Sequence, residues 1–111
     1  MKSKLMKIIP SSNSKKKYDA YFMLENGKEK KVSFGSAGMR DYTLINDKSS
    51  KFYLSKKADR DAVKAAYRRR HQKDLSTNNP MRAGYLSYYV LWNNPTLGGS
   101  IAHYKNKFKL N

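Results

Sequence analysis

The chain contains no cysteine. Disulfides, thiolate zinc sites and cysteine nucleophiles are thereby excluded together. Acidic residues are scarce, with 8 Asp and Glu against 24 Lys and Arg. Only 2 histidines are present, and neither His71 nor His103 has a partner at the HxxxH or HExxH spacing that a zinc site uses. P-loop and Rossmann glycine patterns and serine elbows are missing too, so neither a cofactor nor enzymatic activity is expected. Long apolar runs are also absent. The richest stretch, Tyr85 to Trp92, falls far below the roughly 20 residues of a bilayer span, and the apolar part of MKSKLMKIIP is too short and interrupted for a signal-peptide core. The expectation is a soluble protein with no transmembrane segment.

What is there is positive charge on a foldable chain. The formal net charge is +16 and the sequence pI is near 10.1. Such a surface repels itself and attracts polyanions: nucleic acid, anionic membrane or an acidic protein. With 39% apolar residues and 13% aromatics, 9 of them tyrosine, the chain is not a disordered polycation. Its 111 residues suit one small domain.

Residues 1–17 carry Lys2, Lys4, Lys7, Lys15, Lys16 and Lys17 without an acid, and PSSNS separates the two lysine groups. This composition reads as a flexible basic arm able to lie along a phosphate backbone, before a domain at residues 18–111. From Tyr18 the pattern alternates, with Tyr18, Ala20, Phe22 and Leu24 on one face of a strand. Asn26-Gly27 follows as a hairpin signal of the type I′ kind, and a second strand runs over about Lys28 to Phe34. GSAG at residues 35–38 has the GxxG spacing of a nucleic-acid clamp but follows a strand, so a simple turn is favoured over an anion nest. Residues 41–57 read mostly as loop, with a short strand around Lys51 to Leu54.

A helix then starts near Ser55 or Asp59, either of which suits an N-cap. At about 100° per residue, Ala62, Val63, Ala66 and Tyr67 form its buried side, while Arg60, Lys64, Arg68 and His71 cluster on an exposed cationic ridge. In the run Arg68, Arg69, Arg70, only Arg70 points toward the apolar side, and it is expected to bind a carboxylate or carbonyls. Asn79-Pro80 and Asn94-Pro95 both read as helix starts. Between them Met81, Tyr85, Tyr88 and Trp92 fall within about 60° of one another on a helix that is apolar almost all round. That helix is expected to be the central core element, although whether Tyr85, Tyr88 and Trp92 stack on each other or on bases is open. Gly84 and Ser87 would let a neighbour come close. The last helix, about Thr96 to Lys109, presents Leu97, Ile101, Tyr104 and Phe108, and Lys105, Lys107 and Lys109 make its end basic.

The stretches VSFGSAGMRDYT, YRRRH and above all AGYLSYYVLWNNPTLGGSIAHYKNKF resemble a family of small basic proteins of unknown function. That family occurs in nucleocytoplasmic large DNA viruses of algae and amoebae and in related environmental viruses. The resemblance covers residues 18 to 108 and leaves the arm outside. It implies viral origin and a place in the virion, core or capsid, or in the host cytoplasmic virus factory. It assigns no activity and no site residues.

The expectation is an α+β domain: a β-hairpin packed against about three short helices, preceded by the arm. Its function is expected to be non-enzymatic and structural, binding DNA or another polyanion by charge without sequence specificity. The contacts would come from Lys2, Lys4, Lys7, Lys15, Lys16, Lys17, Arg60, Lys64, Arg68, His71, Lys105, Lys107 and Lys109. The alternatives are a minor capsid or cementing protein meeting acidic capsid proteins or the inner membrane, and an accessory subunit of a viral nucleic-acid enzyme. A small-molecule substrate is not expected.

Overall fold

The computed structural model describes residues 3–111. Its order is β1 (Lys4–Pro10), β2 (Lys16–Met23), β3 (Glu29–Ser36), α1 (Tyr42–Ile45), α2 (Lys57–His71), α3 (Ala83–Leu86) and α4 (Leu97–Lys107). A 3-10 segment, Gln72–Thr77, follows α2, and α3 runs on into a π-helical turn, Ser87–Leu91. The architecture is the expected α+β. The strands form one antiparallel sheet in the order β1-β2-β3.

The third strand lies where composition suggested a flexible arm. A bulge between Leu5 and Lys7 shifts the register, so Leu5 pairs with Phe22 and Ile8 with Ala20. The inward residues of β1 are therefore three apart instead of two, which hides the alternation. Leu5 is buried, its amide donates to the Leu110 carbonyl at 2.9 Å, and both strand and C-terminus are held. Lys4 and Lys7 are exposed together with Met6 and Ile9, and exposed lysines are ordinary edge-strand chemistry.

The hairpin between β2 and β3 forms with a different turn. Gly27 takes φ +82, but Asn26 is not in the left-handed region. The Gly27 amide donates to the Leu24 carbonyl at 2.9 Å and the Leu24 amide to the Lys28 carbonyl at 2.8 Å. This is a type I turn closed by a left-handed glycine, the three-residue alternative to type I′.

Asp19, on the outer face of β2, is buried all the same. Its carboxylate accepts from Ser33 Oγ at 2.6 Å, Ser11 Oγ at 2.7 Å and the Ser12 amide at 3.4 Å. The Ser33 bond first, then the Ser11 bond, holds the carboxyl below the usual carboxylate range. With the folded pKa below the unfolded one, the stabilisation is complete above the ordinary carboxylate pKa and is lost as pH falls through the folded value. Thermal melts from pH 7 down to about pH 3 are expected to show Asp19→Asn less stable at neutral pH and less sensitive to acid. Parallel declines for both proteins would refute this.

In the segment read as loop, Asp41 caps a short helix. Its Oδ1 accepts from the Leu44 amide at 3.1 Å, and Ile45, 0% exposed, enters the core. α2 begins at Lys57 without a side-chain cap. α3 begins at Ala83 and not at Pro80, because Asn79 Oδ1 is used in a turn to the Met81 amide at 3.0 Å. At the second Asn-Pro pair, Thr96 caps α4 by accepting from the Gly99 amide at 3.1 Å, while Asn94 Oδ1 accepts from the Thr96 amide.

The core lies between the inner sheet face and the α3–π–α4 layer, with Phe22, Phe34, Leu86, Val90 and Tyr104 all 0% exposed. Tyr85, Tyr88 and Trp92 are buried as well, as a helix apolar all round requires. Tyr85 packs edge-on against Phe108, Tyr88 lies against Tyr89 and Trp92 stacks on Tyr67, so each of these rings packs on another aromatic ring of the chain. The Tyr104 hydroxyl donates to the Pro80 carbonyl, and burial pushes its pKa up. Close approach occurs at Gly84, where a Cβ would stand 2.9 Å from Asp74 Cβ, and at Gly99, against Asn94. At Gly98 nothing lies within 4 Å.

Candidate functional site

The expected ridge on α2 does not face solvent as three free cations. Arg60 Nη1 donates to the Leu54 carbonyl at 2.7 Å, Lys64 Nζ to the Asn93 carbonyl at 2.7 Å and Arg68 Nη1 to the Trp92 carbonyl at 2.8 Å. Trp92 and Asn93 follow the π turn directly, where a helical segment ends with carbonyls that lack intrahelical partners. Cations are favoured at that negative end of the dipole. Lys64 also lies over the Tyr42 ring at 4.7 Å and Arg68 over Tyr88 at 4.1 Å. Burial first, then the neighbouring Arg68 charge, pushes the Lys64 pKa down. These three residues tie α2 to the body and are largely spent as phosphate ligands.

The other expected contacts divide by geometry. Lys17 is committed: its Nζ pairs with Asp41 Oδ2 at 2.5 Å, with the two side chains 12% and 3% exposed. His71 Nδ1 stands 3.1 Å from Asp74 Oδ2, and its ring stacks on Tyr67 at 4.1 Å. Lys4, Lys7, Lys15, Lys16, Lys107 and Lys109 are exposed, whereas Lys105 is half-buried. Lys2 lies outside the described residues. Lys7 belongs to a row across the outer sheet face, Lys7–Tyr21–Lys31, with its Nζ 4.8 Å from the Tyr21 ring centre. Lys4 and Lys16 mark opposite ends of the sheet, since Lys4 pairs with Met23 and Lys16 with Ser36. The Leu5–Leu110 bond brings the C-terminal residues to the Lys4 end. Among the described residues, Lys17 and Lys57 are the lysines or arginines in ion pairs. The other described lysines and arginines are not neutralised by carboxylates at contact distance.

Arg70, expected to be bound and structural, is exposed and makes no side-chain hydrogen bond. The side of α2 expected to be buried contains no buried residue. Val63, Ala66 and Tyr67 are half-buried and Ala62 is exposed, because this face borders a cleft of about 700 Å³ between α2, the end of the sheet and α3. Small side chains at positions 62 and 66 do not span the gap. Phe34, Leu91 and Trp92, all nearly inaccessible, form the inner wall. The rim carries Lys16, Arg40 and Arg70, exposed and unpaired, and the two carboxylates in the lining, Asp41 and Asp74, already have partners.

GSAG supplies the turn that shapes this site. Gly35 has φ +78, and a Cβ there would stand 2.8 Å from Leu91 Cδ1 and 3.2 Å from Lys17 Cβ. Glycine is required on both counts. The turn carries the chain to Met39, Arg40 and Asp41 at the cleft mouth. Arg40 is not legible in the sequence because it stands alone outside any charge run, and Arg70 because its helical position points to the core.

No group of three or more His, Asp or Glu positioned to hold a metal occurs among the described residues. No helix among them is long and apolar enough to cross a membrane.

A family model described as a family of unknown function (DUF5754) matches residues 6–55. The chain is similar to that family over most of β1, through β2, β3 and α1, and up to the start of α2. The match takes in part of the lysine-rich N-terminus, and the terminal LWNNP segment lies beyond it. No curated protein and no solved structure matches the chain.

Proposed function

We propose that this protein is a non-enzymatic structural protein that binds nucleic acid through charge, without reading sequence, and that it serves genome neutralisation or packaging in a large DNA virus particle. The observation that carries the reading is the excess of 24 Lys and Arg over 8 acids, with Lys17 and Lys57 the cations in ion pairs among the described residues. Each cation that neutralises a phosphate releases condensed counterions, so affinity falls linearly in a log–log plot against salt. The viral setting is supported by the sequence resemblance, and the cationic surface supports the choice of partner.

The test is binding of the purified chain to a random-sequence duplex across a salt series. If about 6 phosphates are contacted, affinity is expected to fall on the order of 10³-fold between about 50 and 200 mM salt. Absence of binding at physiological salt would refute the reading and assign the charge to an acidic protein or membrane surface.

A further inference from the structure

The cleft beside α2 asks for an occupant. Its volume, about 700 Å³, is within the range of ligand sites. An apolar inner wall below a cationic rim fits a group that is planar and apolar at one end and anionic at the other. A second copy of this chain is disfavoured, because Lys16, Arg40 and Arg70 would meet like charge. The cationic lining also continues. A shallower depression shares Asp74, Ala83 and Gly84 with the cleft and adds Lys73 and Arg82. Cations along an aromatic-walled cleft and the depression that adjoins it form a track for a backbone with a base turned inward between phosphates.

We infer that the cleft takes one unpaired nucleotide of a single-stranded nucleic acid. The base enters over the half-buried Val63, Ala66 and the edge of Tyr67, with the nearly inaccessible Leu91 and Trp92 as the floor, and the flanking phosphates lie on Lys16, Arg40, Arg70 and the Lys73–Arg82 side. The inference rests on the nucleic-acid reading above and adds a preference for single strands over duplex, because paired bases cannot enter.

Trp92 is the only tryptophan in the chain and lines the inner wall, so its emission reports on the cleft. The experiment titrates the full-length chain with a mixed-sequence single strand of roughly 12 nucleotides, the corresponding duplex, and inorganic polyphosphate. Arg40→Ala/Arg70→Ala is examined in parallel. Both arginines are exposed and make no side-chain hydrogen bond, so the double variant is expected to melt with the wild type.

The expected result is single-strand affinity about tenfold above duplex affinity. A change in Trp92 emission accompanies the single strand alone, and the double variant loses both the preference and the emission change. Equal affinity for strand and duplex with unchanged emission overturns the inference and leaves the charge reading standing. An equal emission change with polyphosphate, or one that survives in the double variant, also overturns it. Failure to bind any of the three probes overturns both.

Discussion

Replacing Asp41 with alanine is expected to cost about 3–5 kcal/mol of unfolding free energy, the range for removing one partner of a buried ion pair. The cost has identifiable parts. Lys17 Nζ, 2.5 Å from the carboxylate, would be left 12% exposed without a counter-charge. Thr43 Oγ1 and the Leu44 amide, which both donate to Asp41 Oδ1, would lose their acceptor. The cap of α1 alone is worth about 1 kcal/mol, and it holds Ile45 in the core. Lys17→Met combined with Asp41→Asn should recover part of the loss, because no charge then remains buried. Urea unfolding of Asp41→Ala and of the double variant measures this, and a loss below about 1 kcal/mol for Asp41→Ala would show that the pair behaves as a surface salt bridge.

The second large effect is expected at Trp92. Trp92→Ala should cost about 3–5 kcal/mol, as for other buried large aromatics. The indole is 6% exposed and stacks on Tyr67 at 4.3 Å and 11°. Tyr67 stacks in turn on His71 at 4.1 Å, so the loss propagates along α2. That helix has no fully buried residue and depends on this stack and on its three cation tethers. Amide exchange should therefore accelerate in α2 more than in the sheet. Trp92→Phe keeps a ring against Tyr67 and should restore most of the stability. Uniform acceleration across sheet and helix, or a loss below about 1 kcal/mol, would contradict this account of how α2 is held.

Those tethers also mark where sequence reasoning stops. The β2–β3 hairpin is legible because Tyr18, Ala20 and Phe22 alternate and Asn26-Gly27 follows, and the central aromatic helix because its apolar residues surround it. β1 is not legible: the bulge sets Leu5 and Ile8 three apart, and lysines dominate the composition. α1 has four residues, too few for a period to emerge. The role of a cation on a helix is the hardest to read. Lys64 and Arg68 have the spacing of a solvated ridge, but the carbonyls they reach lie 29 and 24 residues away in sequence. Arg70 has the angular position of a core-facing residue, yet the helix stands off from the sheet there. Helical periodicity gives direction only; distance to the next element comes from the tertiary fold.

Arg68 and Arg70 are therefore neighbours with opposite assignments, one closing a helix end and the other free at the cleft rim. The most direct measurement sets Arg68→Ala against Arg70→Ala, taking for each the unfolding free energy and the salt slope of nucleic-acid binding. The account predicts that Arg68→Ala loses about 1.5–3 kcal/mol, as for a hydrogen bond from a charged donor, with its salt slope unchanged. Arg70→Ala should keep its stability and reduce the slope by about one. The reverse pattern, a lower slope with full stability in Arg68→Ala and an unaltered slope in Arg70→Ala, would contradict it and return the binding surface to the exposed ridge.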